Sequence, residues 1–286
     1  MKTKIISCIA LIMIIMTAMS FTNKATDKNN LLIQSVDNNI SSTDISVSAG
    51  IITARLKDFS TGKYEVTVIP EKHQIQISGI TDMEFPAVEH LVTQQGSIRF
   101  YRAYSRAELS ELLKGDNRLF LMFNNQDTNS SDTKVGCIPA NEVGKVNELI
   151  TSTGQNVPCR YVWSDYSDST KVCLYALRLE HDKGSLLTGN DLEHVTFSRD
   201  KSSAYWHIDF SFKKEAVKTW SEITKQNINK SIAIVIDDKV ICAPMLRSVI
   251  ESGKCSITGN FTLNDVKLFT AFGNHGELPA LFKVVR

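Results

Sequence analysis

The sequence lacks the short motifs by which many enzymes and metalloproteins are recognised. It contains no G-x-S-x-G, no H-E-x-x-H and no phosphate-binding Walker loop, and its six histidines are dispersed along the chain. It also has no C-x-x-C pair, which argues against a zinc ribbon and against a thioredoxin-type redox site. We therefore expect no catalytic activity, no metal and no cofactor.

An excess of basic residues is also missing. The chain has 32 Lys and Arg against 31 Asp and Glu, and without Lys2 and Lys4 the count is 30 against 31. Proteins that bind nucleic acid usually carry a basic excess or a basic stripe, because the phosphate backbone supplies most of the affinity. The composition therefore argues against a nucleic-acid partner.

Long apolar runs are absent except at the N-terminus. There "MKTK" is followed by the apolar run "IISCIALIMIIMTAM", and Ala18 and Ser20 are small residues at the spacing of a cleavage site. This pattern predicts a secretory signal peptide over residues 1–20, with a flexible polar tether over 21–30, and hence an exported protein. The alternative is an uncleaved segment that holds the chain at the inner membrane.

Five cysteines follow the signal segment, and an odd count leaves at least one of them unpaired within a monomer. Cys242 and Cys255 flank a loop between two predicted strands, so we expect them to form the disulfide that export allows. The alternative is that these cysteines are buried free thiols that pack as small apolar residues.

The first third of the chain alternates between strand and helix patterns. Strand patterns occupy "LLIQSVD" (31–37), "YEVTVIP" (64–70), "QIQISGI" (74–80) and "SIRFYRAY" (97–104). Apolar residues at helical spacing run from Ile45 to Phe59, and a second helix is predicted from Pro86 to a stop at Gly96. The order β-α-β-β-α-β predicts a ferredoxin-like split βαβ unit complete by about Tyr104.

The rest of the chain mixes both patterns, so the predicted fold class is α+β. "RLFLMF" (118–123) and "AYWHIDFSF" (204–212) are predicted strands, and "KKEAVKTWSEITKQN" (213–227) is a predicted amphipathic helix. A last helix, capped by Thr262, precedes the final predicted strand "ALFKVVR" (280–286).

Two adjacent acids, Asp237 and Asp238, separate two apolar runs in "SIAIVIDDKVICAPML" (231–246). Two residues between strands form the commonest hairpin loop, and Asp tolerates the backbone angles of that turn. A metal site would need further ligands, which the spacing does not supply. We expect both acids to be exposed at a hairpin tip, where replacement by Asn-Gly leaves the stability nearly unchanged or improves it, because Asn-Gly suits a type I′ turn.

From residue 186 onward the sequence resembles SecD, a subunit of the bacterial SecDF auxiliary protein translocase. The resemblance rests on four stretches in the family's order and close to its spacing: "LLTGNDLEHV", "FSFKKEAVKTWSEITKQNINKSIAIVIDDKVICAPML", "SITGNFTLNDVKLF" and "GELPALFKVV". The residues that match the family's hairpin motif are Asp237, Lys239, Val240, Ile241, Ala243 and Pro244, and those that match the next motif are Gly259, Asn260, Phe261 and Thr262. Residues 31–104 are similar only in pattern, and residues 105–185 have no match.

The chain also departs from the family pattern. Asp238 replaces the turn glycine, Cys242 replaces a serine, and no membrane helices follow residue 286 in this sequence. The resemblance is therefore to the family's first periplasmic domain, which we expect here as a stand-alone exported protein. It implies a ferredoxin-like base (31–104 plus 261–286) and an inserted head subdomain (105–260).

The resemblance implies a module that binds unfolded or exported polypeptide in the periplasm, accessory to protein translocation. Its expected partners are a polypeptide substrate or a translocase or membrane protein. The alternative is a periplasmic structural or assembly partner that keeps the fold without translocation, since fold alone does not fix function. The chain would cross between base and head twice, which makes six residues hinge candidates: Ala103, Tyr104, Ser105, Thr258, Gly259 and Asn260.

Overall fold

The computed structural model describes residues 29–123, 133–152, 157–164, 170–180, 184–199 and 205–285. Helices and antiparallel strands mix along the chain, which confirms the α+β class. The predicted signal peptide and almost all of the predicted tether lie outside the described residues. The strands are β1 (Asn29–Ser35), β2 (Glu65–Ile69), β3 (Gln74–Ile80), β4 (Ile98–Arg102), β5 (Lys134–Pro139), β6 (Cys159–Trp163), β7 (Lys171–Arg178), β8 (Leu187–Thr188), β9 (Leu192–Arg199), β10 (Trp206–Phe212), β11 (Ile232–Ile236), β12 (Lys239–Cys242), β13 (Lys254–Gly259) and β14 (Phe282–Val284). The α-helices are α1 (Ser42–Phe59), α2 (Phe85–Thr93), α3 (Arg106–Leu112), α4 (Arg118–Leu121), α5 (Val143–Ser152), α6 (Lys214–Gln226) and α7 (Leu263–His275).

The first sheet has the strand order β14-β1-β3-β2, and its pairs are antiparallel. This is the arrangement expected of a ferredoxin-like unit, but the outer position beside β1 is taken by the C-terminal strand. The fourth strand predicted for this unit, which contains Ile98–Arg102, is placed wrongly: β4 pairs with β11 and β8 in a different sheet. Local pattern identifies a strand but does not choose its partner.

Alternating apolar residues fix which face of the first sheet is buried. Leu31, Ile33, Ile75 and Ile77 are buried on one face, where α1 and α2 cover them. The helix α1 contributes apolar side chains at helical spacing: Ile45, Ala49, Ile52, Leu56 and Phe59. One continuous apolar face therefore joins sheet and helices, as the period of the sequence predicts.

Two further sheets pack into the same core. One has the order β12-β11-β4-β8 and the other the order β13-β10-β9, and α6 and α7 pack against the second. Between them lies an aromatic cluster in which Phe212 and Trp220 have ring centroids 4.7 Å apart and Phe100 and Phe212 have centroids 5.4 Å apart. The apolar core is thus continuous from the first sheet to these two sheets.

Residues 109–176 contribute to a separate apolar cluster, built on the sheet β5-β7-β6 with α3, α4 and α5. The strand predicted at 118–123 is wrong, because residues 118–121 form the short helix α4, which buries Leu119 and Phe120. A short apolar run does not by itself distinguish strand from helix.

The apolar clusters do not follow the predicted division at 104/105 and 260/261. Strands β8 to β11 and β13 share the core of the first sheet, whereas α3, α4, α5, β5 and part of β7 bury a second cluster. A third cluster joins β4, β6, β7, β11 and β12 and includes Tyr101, Val162, Tyr175, Ala233 and Val240. The division into base and head therefore stays a prediction. The helices in the described part of the chain all lack the combination of length and apolar composition that a membrane span needs.

The disulfide links Cys137 and Cys173, which face each other in register on β5 and β7. Cys242 and Cys255 are free, so the predicted bond between them is wrong. The physical reason is that β12 and β13 belong to different sheets, so closeness in sequence does not bring the two thiols into register. A disulfide agrees with an exported protein, because disulfides persist in oxidising compartments, whereas the cytosol keeps cysteine thiols reduced.

We expect the paired substitution Cys137→Ala with Cys173→Ala to lower the free energy of unfolding by about 2–4 kcal/mol, because the bond closes a long loop of the unfolded chain. Urea unfolding followed by tryptophan fluorescence, to which Trp163 of the same cluster contributes, measures the loss. The paired substitution Cys242→Ala with Cys255→Ala is the control and should leave the effect of a reductant unchanged. If reductant does not destabilise the unmodified protein, the bond does not form.

Candidate functional site

The two acids at 237–238 form the two-residue turn between β11 and β12. Asp237 and Asp238 have φ values of 45° and 66°, the left-handed pair that a type I′ turn requires. The Asp238 side chain is 77% exposed, and its carboxylate accepts a hydrogen bond from Arg160 at 2.6 Å. Only Asp238 is the exposed tip residue that the sequence predicts.

Asp237 is half-buried and has a structural role that the sequence analysis missed. Its two carboxylate oxygens accept hydrogen bonds from the backbone N–H groups of Gly96 (2.9 Å) and Ser97 (2.8 Å). Its own N–H donates to the Ser97 carbonyl at 3.2 Å. The prediction that both acids are exposed is therefore wrong for Asp237, which joins the hairpin to the loop between α2 and β4.

That loop is held from its other side by Arg55, a fully buried residue of α1. The Arg55 guanidinium donates to the carbonyls of Gln94 (3.1 Å), Gln95 (2.7 Å) and Gly276. Burial lowers the pKa of Arg55 to about 10, and the carboxylates of Asp237 and Glu277 oppose that shift. Three chain segments and the hairpin tip therefore meet at one buried cation.

Arg55 and Asp237, which hold the loop at 94–97 from its two sides, are called the clamp below. A cleft of about 480 Å³ lies beside this clamp. Its walls come from α2, the β11–β12 hairpin, the junction between β13 and α7, and α7 itself. The residues that line it are His90, Gln94, Ser164, Ile236, Lys239, Val240, Ile241, Cys242, Gly259, Asn260, Phe261, Thr262, Asp265, Leu268, Phe269 and Phe272. Two motifs that are separate in sequence, at 239–242 and 259–262, thus converge on one cavity.

The lining of the cleft is mainly apolar. Burial raises the pKa of the Cys242 thiol to about 12, so this side chain stays neutral and adds to the apolar wall. Asp265 is engaged in a capping box, in which its carboxylate accepts from the Thr262 N–H at 2.7 Å. The guanidinium of Arg55 lies over the Phe272 ring, 4.6 Å from its centroid, and so fixes part of the wall.

The six hinge candidates lie at two places with different surroundings. The Ala103 N–H donates to Ser231 at 3.1 Å, the Tyr104 N–H donates to Ala176 at 2.9 Å, and Ser105 caps α3. Thr258 and Gly259 are the last residues of β13, and Asn260 is exposed beside the cleft. The hinge role stays a prediction, and only the second group borders the cleft.

The remaining polar groups near the site make ordinary contacts. The His207 ring is 3.0 Å from the Thr258 hydroxyl, and His275 forms a 2.7 Å contact with Asp58. Among the described residues, no three His, Cys, Asp or Glu side chains are grouped as a metal site would require. The arrangement suits binding of apolar groups more than acid–base chemistry.

The sequence displays the two motifs that line the cleft, but it predicts neither a cleft nor its helical wall. The wall formed by α7 consists of Leu268, Phe269 and Phe272. The sequence predicts this helix from its apolar period, but it does not predict which segments of the chain lie opposite these three residues. It also missed Arg55, because an arginine within an amphipathic helix is usually solvated.

The family model and the two curated relatives described here all concern SecD or SecDF. Residues 171–280 match the family model described as SecDF, P1 head subdomain. The chain is 28% identical over 239 residues to protein translocase subunit SecD of Calditerrivibrio nitroreducens. The aligned region covers 82% of this chain and 38% of that protein. It is 37% identical over 103 residues to the SecD of Rickettsia typhi, and this aligned region covers 36% of this chain and 20% of that protein. The chain therefore spans less than half the length of these curated relatives.

Two solved structures share the fold. A crystal structure of SecDF in a super-membrane-facing form superposes with a TM-score of 0.58 at 18% identity, over 91% of this chain and 30% of that one. A structure of SecDF, described as a membrane component that enhances protein export, gives a TM-score of 0.55 at 18% identity, over 90% of this chain and 98% of that one. At this identity the likeness concerns the fold.

Proposed function

Since the chain contains a SecD-type periplasmic domain, as its sequence resemblance predicts and the comparisons confirm, we propose that it binds extended polypeptide in the cleft and is accessory to protein translocation. The relatives that carry the name are translocase subunits, and one related structure is described as enhancing protein export. The proposed location is the periplasm, with which the Cys137–Cys173 disulfide agrees.

The observation that carries the proposal is the convergence of the two family motifs on one apolar cleft. Val240 and Ile241 approach from the hairpin, Phe261 approaches from the β13–α7 junction, and Leu268 and Phe269 complete the wall from α7. A partly apolar concave surface is what binding of an unfolded chain requires, because such a chain offers apolar side chains that a folded protein hides.

The size of the cleft sets how much of a polypeptide it can hold. A volume of about 480 Å³ falls within the usual range for ligand clefts, and it suits a few side chains better than a folded partner. We therefore expect weak, sequence-tolerant binding, in which apolar residues of many different chains can occupy the same walls.

Binding of reduced and carboxymethylated lysozyme, which cannot refold, tests the proposal. We expect Leu268→Lys to weaken this binding by at least about tenfold, because a charged group would have to be buried against Phe269 and Phe261 when the cleft fills. Fluorescence anisotropy of the labelled unfolded protein, with and without the substitution, measures the change.

Met83→Lys is the matched control, because Met83 is 92% exposed and does not line the cleft. It should leave binding unchanged, and native lysozyme should not bind to either form. Equal loss in both variants would point to general charge repulsion. If the unmodified protein binds no unfolded chain, the alternative role as a structural or assembly partner takes the place of this proposal.

A further inference from the structure

The strand β13 forms one edge of the sheet β13-β10-β9, and its register fixes which peptide groups point outward. The Phe212 N–H donates to the Gly253 carbonyl at 3.0 Å. Hydrogen-bonded and non-hydrogen-bonded pairs alternate along an antiparallel ladder. The peptide groups of Cys255 and Ile257 therefore point to β10, and those of Lys254, Ser256 and Thr258 point to the outer edge.

The opposite edge of the same sheet supports this register. By the same alternation, the peptide group of Val195 on β9 points outward. The Asn274 side chain of α7 satisfies it, accepting from the Val195 N–H at 2.8 Å and donating to the Val195 carbonyl at 3.0 Å. At Val195 the outer edge of the sheet is therefore occupied by a side-chain amide that bonds as a neighbouring strand would.

The β13 edge has no such cover among the described residues. The Lys254 N–H is bonded to the Ser252 hydroxyl at 3.2 Å, but the outward N–H and C=O groups of Ser256 and Thr258 have no backbone or side-chain partner in the described ranges. Both residues are exposed. An open edge of this kind is a template for another strand.

Two apolar cavities lie beside β13, on the buried face of its sheet. The cleft described above reaches Gly259 and Phe261, and a second cavity of about 240 Å³ reaches Cys255 and Ile257. Trp220 lines the second cavity. A chain beside β13 would place alternate side chains toward both cavities, since side chains of a strand alternate between its faces.

We propose that an extended polypeptide with apolar residues at alternate positions binds as an added strand at the outer edge of β13. Its peptide groups bond to those of Ser256 and Thr258, and its inward side chains enter the two cavities. This inference rests on the proposed function and specifies its mode, in which the backbone supplies affinity for any sequence and the cavities supply the preference for apolar residues.

The test uses a soluble synthetic peptide of alternating valine and threonine with lysines at its ends. We expect the peptide to slow amide hydrogen exchange of Ser256 and Thr258 by at least about tenfold, because exchange then requires the added strand to open. The Val195 amide, which already bonds to Asn274, should be unaffected. Methylating one alternate set of peptide nitrogens should weaken binding by at least about tenfold, and methylating the other set should not.

A pair of substitutions at one position gives the matched comparison. Ser256→Pro removes the outward N–H and should abolish the protection of Thr258, and an edge strand tolerates proline because no ladder bond is lost. Ser256→Ala keeps the N–H and should bind the peptide as before. Circular dichroism verifies the fold of both variants, and the two methylated peptides decide the question independently if the proline variant does not fold.

Three results would overturn the inference. If the peptide binds in a manner sensitive to Leu268→Lys but leaves the amides of Ser256 and Thr258 unprotected, the edge mode is wrong while the proposed function stands. If these amides become protected with rising protein concentration alone, the edge pairs with a second copy instead. If the peptide does not bind at all, the edge mode is wrong, and the unfolded lysozyme assay separately decides the proposed function.

Discussion

Replacing Arg55 with Met is expected to lower the free energy of unfolding by about 3–5 kcal/mol, the largest effect of a single substitution that we predict. The substitution removes three charge-assisted hydrogen bonds to the carbonyls of Gln94, Gln95 and Gly276, donated by a guanidinium that is itself fully buried. It also removes the cation that faces Asp237 and Glu277. Urea unfolding at neutral pH measures the loss.

Arg99→Met is the matched control. Arg99 forms an ion pair with Glu277 at 2.8 Å, but its side chain is 30% exposed and water can replace its contacts. We expect a loss of less than about 1 kcal/mol there. An equal loss of unfolding free energy for both arginines would show that burial of Arg55 adds nothing to its contribution to stability. A loss below about 1 kcal/mol for Arg55→Met would show that the hydrogen bonds of Arg55 do not stabilise the fold.

The second large effect is expected at Asp237. Asp237→Asn should cost about 2 kcal/mol, because an amide can accept only one of the two backbone hydrogen bonds from Gly96 and Ser97. Asn tolerates the left-handed backbone of this turn, so the substitution tests the hydrogen bonds with little change in conformational strain.

The neighbouring acid supplies the control at the same turn. Asp238→Asn removes only an exposed ion pair with Arg160 and should change the stability by less than about 1 kcal/mol. Thermal and urea unfolding of the two variants give the comparison. Losses of similar size would mean that both acids act only as turn residues, as the sequence alone suggests.

If the hairpin tip positions the cleft wall, Asp237→Asn should also weaken binding of the unfolded probe. Asp237 does not line the cleft, but Ile236 and Lys239 on either side of the turn do. Asp238→Asn should leave binding unchanged. This pair therefore separates an effect transmitted through the hairpin from an effect of charge near the cleft.

Much of the local structure could be predicted from the sequence. The alternation in "QIQISGI" and the helical spacing from Ile45 to Phe59 correspond to β3 and α1, and Thr262 caps α7 as expected. The two acids at 237–238 form the predicted turn. These features depend on backbone preferences and on period within a few residues, which a sequence carries directly.

Prediction from sequence failed wherever a choice of partner was needed. The sequence predicts β4 as the fourth strand of the first sheet, but it pairs with β11, and β14 takes the outer place in that sheet. The predicted Cys242–Cys255 bond is absent, and Cys137 pairs with Cys173. Strand pairing and disulfide geometry depend on contacts between residues distant in the chain, which periodicity does not encode.

The α+β class, the turn at Asp237 and Asp238, and the motifs shared with SecD could all be read from the order of the residues. The meeting of these motifs across one apolar cleft, the bonds of Asp237 and the buried Arg55 to the loop beside it, and the outward peptide groups of Ser256 and Thr258 on β13 became visible only in the folded chain. The physical reason is that short-range backbone preferences are local, whereas burial, hydrogen-bond satisfaction and edge exposure exist only after distant segments have packed together.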